Sequence, residues 1–576
     1  MTRFYSFLFL FLVWSPTTVQ AQAITSFSPA SGNVGTLVTL TGTRLDLVTA
    51  VAVNGTSSVI LDQTSTALRL LVMPGATTGP LTTTGGAPAT AAAAFTVTRT
   101  ALGTAQQGPK LVGTGASSYV DQGQSVALSA DGNTLAVGGT LDNSNTGATW
   151  VFTRSGTGWS QQGPKLVGTG AVGKANQGYS VALSTDGNTL AVIGLNDNNY
   201  TGATWVFTRS GTSWGQQGPK LVGTGVVGSR PYQGYSVVLS ADGNTLAVGG
   251  PSDNNYTGAT WVFVRSGTNW GQQGPKLVGT GTPAGQGRAV ALSADGNTLA
   301  VSGEDDNFSA GATWVFVRSG TSWGQQGPKL VGSGAVGSAE QGASLALSAD
   351  GSTLAVGGRG DNNYTGATWV FVRSGTNWGQ QGPKLVGTGA LGSADQGTSV
   401  ALSADGSTLA VGGPLDNRHA GATWVFVRSG TSWGQQGPKL VGSGALGSSD
   451  QGTSVALSAD GSTLAVGGSR DLRTEGGSWF LRTGATWVFS TASSPLAQRP
   501  AAGPRATASF FPNPVAEQLT VTGGARTGTW RLLDSTGRTR LTGTYHAGQP
   551  LDLSALPAGL YWLQVDQAPA RPLLKR

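Results

Sequence analysis

The chain contains no cysteine, two histidines and two methionines among 576 residues, and only 11% of its residues are charged. Without cysteine no disulfide can staple the fold, so burial of a core must hold it. His419 and His546 lie far apart in the sequence, which argues against a His-based triad or a His-rich metal centre. The periodic Ala, Leu, Glu and Lys that long helices need is also missing. After the N-terminus no apolar run is long enough to cross a bilayer. The net charge is +7, but most Lys and Arg recur singly, once per repeat, and make no basic cluster. Nucleic acid is therefore not an expected partner.

Glycine is abundant instead, at 92 residues, together with Ser and Thr. Short strands joined by Gly-containing turns fit that supply, so the expected class is all-β. The start, "MTRFYSFLFLFLVWSPTTVQAQA", has Arg3, an apolar run from Phe4 to Trp14, and small residues before Ala21 and Ala23. It reads as a secretory signal peptide over 1–22.

"QQGPKL" occurs seven times, with its proline at 109, 164, 219, 275, 328, 383 and 438. "GATWVF" also occurs seven times, through Trp150, Trp205, Trp261, Trp314, Trp369, Trp424 and Trp487. A period near 55 residues signals a repeat array. Each unit offers four strands, exemplified by "SVALS", "TLAVGG", "ATWVFVR" and "WGQQGPKLV". "ADGN" or "ADGS" joins the first pair and is expected to form a two-residue Asp-Gly hairpin turn. The near-absence of alternation in "SVAL" and "TWVF" points to sheets covered on both faces. The first "QQGPKLV", at 106–112, has no Trp strand before it, and the last "GATWVF" has no "QQGPKLV" after it. The expectation is a closed seven-bladed β-propeller over 100–490, its first strand completing its last blade. An open solenoid is the alternative.

The repeats resemble the FG-GAP propeller family over roughly 105–490. "VGGP" at Val248–Pro251 and Val411–Pro414 stands where that family has Gly-Ala-Pro, and Gln177-Gly178 and Gln396-Gly397 stand for its Phe-Gly. Residues 23–99 resemble an IPT/TIG domain, an immunoglobulin-like sandwich, through Phe27, Pro29, Gly32, Gly35 and the strand "LVTLTG". Residues 491–506 are a Pro/Ala/Ser linker. Residues 507–576 resemble the type A C-terminal sorting domain of type IX secretion cargo, through Pro512-Asn513-Pro514, "RLLDSTGR" and Gly559-Leu560-Tyr561. By itself this segment reads as a small β-sandwich. The resemblance implies the type IX machinery as a partner and a secreted or outer-surface location.

The two sets of loops differ in character. The first–second and third–fourth hairpins are nearly invariant, and their Asp (Asp131 to Asp460) and Arg (Arg154 to Arg428) are expected to pair as exposed charges. The second–third loops and the crossovers between units vary, as in "NDNNYTG", "DDNFSAG" and "VVGSRPY". A rigid scaffold binds through its variable loops, so this crossover face is the candidate surface for an extracellular glycan or protein. Its candidates are Tyr119, Tyr200, Arg230, Tyr232, Tyr256, Phe308, Tyr364, Arg418, His419, Arg470, Arg473 and Trp479. Aromatics beside Asn and Asp suit sugar rings or protein side chains, although they also suit packing on a neighbouring blade. Asp142, Asp197, Asp253, Asp306, Asp361 and Asp416 are the residues that a calcium ion would use, and no other cofactor is expected. No catalytic constellation emerges. A non-enzymatic binding or adhesion protein is the first reading. A polysaccharide-acting propeller enzyme and a calcium-stabilised structural module are the alternatives.

Overall fold

The computed structural model describes residues 22–98, 102–117, 119–281, 284–475, 479–490, 509–511, 517–522, 527–534, 538–546, 549–565 and 571–575. The signal peptide short of Gln22, the linker and Pro512-Asn513-Pro514 lie outside these residues. The chain is all-β and divides into two compact units, Met1–Ala492 and Ser493–Arg576.

The first unit begins with an eight-stranded immunoglobulin-like domain. In Leu37–Thr43 alternate residues turn inward, and Val38 and Leu40 join Leu68, Leu70, Leu81 and Phe95 in its core. Asn54 and Gly55 both take positive φ, 44° and 84°, as a two-residue turn between Ala50–Val53 and Thr56–Gln63 requires.

Over residues 105–490, seven four-stranded antiparallel sheets follow among the described residues. In the first, the order is Ser125–Leu128, Thr134–Gly139, Ala148–Ser155 and Gly158–Gln161. All six residues of Thr134–Gly139 are buried, which explains why that strand lacks alternation. The last sheet takes Gln451–Leu457, Thr463–Gly468 and Ala485–Ser490 from the end of the array. Its fourth strand is Ala105–Gln106, with Phe489 opposite Gln106 and Ser490 opposite Ala105.

Backbone hydrogen bonds run from sheet to sheet and return to the start. The amide of Ala130 donates to Thr185, Thr185 to Ala241, Ala241 to Ala294, and Ala294 to Ala349. Ala349 then donates to Ala404, Ala404 to Ala459, and Ala459 to Ala130. The turn that supplies these amides is not the two-residue hairpin expected from Asp-Gly. Gly132 has φ 66°, but Asp131 is not left-handed, and the loop spans Ala130–Asn133 between bonded Ser129 and Thr134. Two demands impose this shape. The Ala130 amide is committed to the ring, and Asp131 Oδ1 accepts from the Ser129 hydroxyl at 2.5 Å and the Asn133 amide at 3.0 Å.

Several residues of the repeated string are fixed by specific contacts. Trp150, Trp205, Trp261, Trp314, Trp369, Trp424 and Trp487 are wholly buried. The Trp205 indole donates to the Thr169 carbonyl at 2.7 Å. A Cβ on Gly168 would come 2.1 Å from Trp205 Cδ1, so the glycine of "KLVG" is fixed by the ring that packs on it. In "QQ", Gln161 Oε1 accepts from the Thr114 amide at 2.7 Å. Gln162 Oε1 accepts from the Trp214 indole of the next sheet at 3.0 Å.

The second unit contains a sheet of Thr527–Leu533, Thr539–His546, Gly559–Val565 and Arg571–Lys575, beside a three-stranded sheet that includes Gln518–Thr522. Leu519, Trp530, Leu532, Leu563 and Leu573 form its core.

Candidate functional site

The second–third loops share an uncommon backbone. In "DNNYTG", Asn198, Asn199 and Tyr200 are all left-handed, with φ of 49°, 56° and 69°. Three such residues in a row cost most side chains roughly 1–2 kcal/mol each, and asparagine tolerates them best. At the second of these positions stand Phe308 (φ 57°) and Arg418 (φ 56°), where Asn or Ser would be the easier residue.

The aspartate that opens each loop turns inward. Asp142, Asp197, Asp253, Asp306, Asp361 and Asp416 are buried, one to a sheet, each against its own lysine of "QQGPKL". Asp197 Oδ2 meets Lys220 Nζ at 2.5 Å, and its Oδ1 accepts the Val172 amide at 2.7 Å. This gives the proposed calcium ligands a different role, because an ammonium already stands where a cation would sit. No group of three or more His, Cys, Asp or Glu able to hold a metal occurs among the described residues. Asp471, in the divergent seventh loop, belongs to the same series and pairs with Lys110 from the front of the array. Sequence reading missed it because "SRDLRTEGG" replaces the familiar loop.

The twelve candidate residues do not form one cluster. Tyr200 packs on Tyr232, with ring centroids 5.5 Å apart, and the Arg230 guanidinium lies over the Tyr200 ring at 4.8 Å, so these three serve the seam between sheets. Tyr119, Tyr256, Phe308 and Tyr364 are exposed, at 58%, 66%, 95% and 52%. Phe308 stands at a recess of about 440 Å³ lined also by Asp305, Asn307, Lys329 and Val331. Arg418 and Arg473 are exposed. Arg470 reaches Asp450 at 3.1 Å, as does His419 through Nδ1. Leu472–Glu475 and Trp479–Arg482 pair as a two-stranded ribbon, in which Trp479 lies opposite Glu475.

A second set of residues, of which only Tyr232 was among the sequence candidates, precedes the first strand of each sheet. The glutamine of each "QG" is buried and closes the crossover before it: Gln177 Oε1 accepts the Gly168 amide at 2.6 Å, and its Nε2 donates to the Gly168 carbonyl at 2.9 Å. The residue before it varies, as Asp121, Asn176, Tyr232, Gly285, Glu340, Asp395 and Asp450. Around these lies a charged network. Arg482 holds Asp121 at 2.7 Å, Arg359 holds Glu340 at 2.6 Å and approaches Glu304 at 3.6 Å, and Arg288 pairs with Glu304. Arg288 also stacks on Tyr235, which meets Tyr179 edge-on at 5.3 Å. Burial pushes the carboxyls of Asp121 and Asp395 up to about 6, against the pull of Arg482 on the first and Arg359 on the second. Asp395 Oδ1 is buried with no hydrogen-bond donor among the described residues. One signal in the sequence pointed here: a single variable position set against an invariant Gln-Gly.

The opposite, invariant face is arranged differently from expectation. The arginines do not pair with the turn aspartates. Arg154 Nε donates to Asn133 Oδ1 at 2.8 Å and Nη1 to Thr463 Oγ1 of the neighbouring sheet at 3.2 Å, because each aspartate is held within its own turn. The ring of alanines on this face is covered. Leu71 and Met73 of the immunoglobulin-like domain pack with Ala130 and Ala241, flanked by Leu61, Ala294, Ala349 and Ala459. Arg69 reaches Asp186 at 3.1 Å, and a Cβ on Gly35 would lie 2.2 Å from that of Ala459.

Comparison with known proteins identifies two modules. Residues 23–96 match the IPT/TIG domain, and residues 509–571 match the secretion system C-terminal sorting domain. The sorting domain indicates secretion, with location outside the cell or at its surface. No helix among the described residues is long and apolar enough to cross a membrane. No curated protein matches the chain. Among solved structures, a putative 6-phosphogluconolactonase from Bacteroides uniformis is similar at TM-score 0.42 and 14% identity, covering 63% of this chain and 92% of that one. The hydrazine synthase of Kuenenia stuttgartiensis is similar at TM-score 0.40 and 15% identity, covering 62% of this chain and 94% of the other. Likeness at this level says nothing about activity.

Proposed function

We propose that the seven sheets are the blades of a closed β-propeller, of the kind the FG-GAP resemblance suggests, and that this secreted protein binds without catalysing. Its crossover face is the binding surface, and its ligand is an extracellular glycan or protein. The observation that carries this reading is the asymmetry of the two faces. The invariant face is covered by the IPT/TIG domain, whereas the crossover face exposes Tyr119, Tyr256, Phe308 and Tyr364 on loops that differ from blade to blade. An aromatic that is 95% exposed on a left-handed turn has no packing to justify it, and stacking against a ligand would supply one. Assaying the full chain on immobilised polysaccharides and on surface-protein preparations tests this. Replacing Tyr256, Phe308 and Tyr364 together by alanine should reduce binding at least about tenfold, with melting unchanged. Equal binding by that variant would remove the face from consideration.

One observation favours the enzymatic alternative. Asp395 has a carboxyl raised by burial and an Oδ1 without a hydrogen-bond partner among the described residues, features compatible with a general acid. Polysaccharide cleavage that disappears in Asp395→Asn would support it, and binding without turnover supports the first reading.

A further inference from the structure

The invariant face is not wholly invariant. In the first four sheets the hairpin ends in Asn133, Asn188, Asn244 and Asn297, and each side-chain carbonyl accepts the Nε–H of an arginine at 2.8–2.9 Å. In the last three sheets serine stands there, as Ser352, Ser407 and Ser462. A serine hydroxyl is too short to reach the guanidinium and turns to its own aspartate instead: Ser352 to Asp350 at 2.8 Å, Ser407 to Asp405 at 2.6 Å. The Arg373 guanidinium is left with one hydrogen bond among the described residues, Nη1 to Thr298 at 3.3 Å. Arg428 keeps Nη1 to Thr353 at 3.3 Å and Nη2 to the Asp405 carbonyl at 3.2 Å. Neither Nε–H has an acceptor among the described residues. Both guanidinium groups nevertheless stay fixed, each 5.8 Å from a tryptophan ring, Trp378 and Trp433.

These two arginines line one cleft of about 830 Å³ between the hairpin face and the IPT/TIG domain, with Asp350, Asp405 and Asp460 on the same wall and Pro74–Thr77 opposite. The volume is that of a small-molecule site. The change from asparagine to serine thus withdraws arginine partners where a cavity adjoins them. We propose that this cleft is a second binding site, which takes a neutral, hydroxyl-rich ligand of the class of short oligosaccharides. The charge balance selects that class. Three carboxylates oppose an anion, two guanidinium groups oppose a cation, and alternating donors and acceptors suit adjacent hydroxyls. Val372, Val427 and Pro74 supply apolar wall for the carbon faces.

The chain itself provides a gentle test. The double variant Ser352→Asn/Ser407→Asn rebuilds the arrangement of the first four blades, so it should fold and melt like the parent. Calorimetric titration of the full chain with maltotriose, cellotriose, xylotriose and mannotriose should show saturable binding by at least one of them. The double variant should weaken that binding about tenfold or more, by returning each Nε–H to an asparagine. Phe308→Ala should leave it unchanged, which separates this site from the crossover face. The proposal is overturned if none binds up to about 10 mM, if the double variant binds as well as the parent, or if citrate or sulfate binds in place of the sugars.

Discussion

At the scale of residues, a few side chains decide what each repeat is for. Asp395 carries the clearest pH signature. Its carboxyl lies at about 6, above the roughly 3.9 of an unfolded aspartate, because burial opposes its charge. Between about pH 4 and 6 the folded chain therefore holds a proton more firmly than the unfolded one. Stability falls as pH rises through that window, and the loss persists above it. Asp395→Asn should remove this contribution and melt higher than the parent at pH 7, by about 1 kcal/mol once solvent screening of a half-buried group is allowed for. Equal thermal stability of the two proteins at pH 5 and pH 7 would contradict the assignment. The burial behind this was not legible in the sequence, where Asp395 shows only as a variable letter before an invariant Gln-Gly. The six loop aspartates show the reverse case. Their recurrence was plain, but what each one faces was not, because the lysine that satisfies it lies 23 residues away, past the fourth strand.

At the scale of elements, strand order was legible because hairpin-linked strands of a repeat have few ways to pair. The hairpin geometry was not. Asp-Gly promises a two-residue turn, and only the structure shows that Ala130 must offer its amide to the next sheet. The same limit applied to the arginines, whose nearest sequence-level partners were aspartates but whose acceptors are asparagine and threonine. The seam that completes the seventh sheet includes a short strand, backbone bonds such as Leu111 to Thr486, and the ion pairs Lys110–Asp471 and Arg482–Asp121. Lys110 reaches Asp471, whose side chain is fully buried. Lys110→Met would leave that carboxylate without its cation, at a cost of about 3 kcal/mol. Chemical denaturation should show a lower midpoint for this variant, and an unchanged midpoint would mean that the seam contributes little.

At the scale of the whole molecule, the sorting domain marks an exported protein, and within the first unit a ring of backbone hydrogen bonds links seven sheets, with Leu71 and Met73 of the IPT/TIG domain packed on its alanines. The repeats told how many sheets to expect, and their ends told which strand was missing. That the IPT/TIG domain covers the alanine ring was invisible beforehand, since Leu71 and Met73 read as ordinary core residues of their own domain. Closure is the claim on which both proposed sites depend, because it sets the faces. The absence of native cysteine allows a clean measurement. Ala105 and Ser490 are directly opposed in antiparallel pairing, which places their Cα atoms about 4.5–5.5 Å apart, within disulfide range. In the variant Ala105→Cys/Ser490→Cys, mild oxidation should give an intramolecular disulfide in nearly every folded monomer, with a raised melting temperature. Thiols that stay free in the folded protein, or that link only between molecules, would contradict a closed ring.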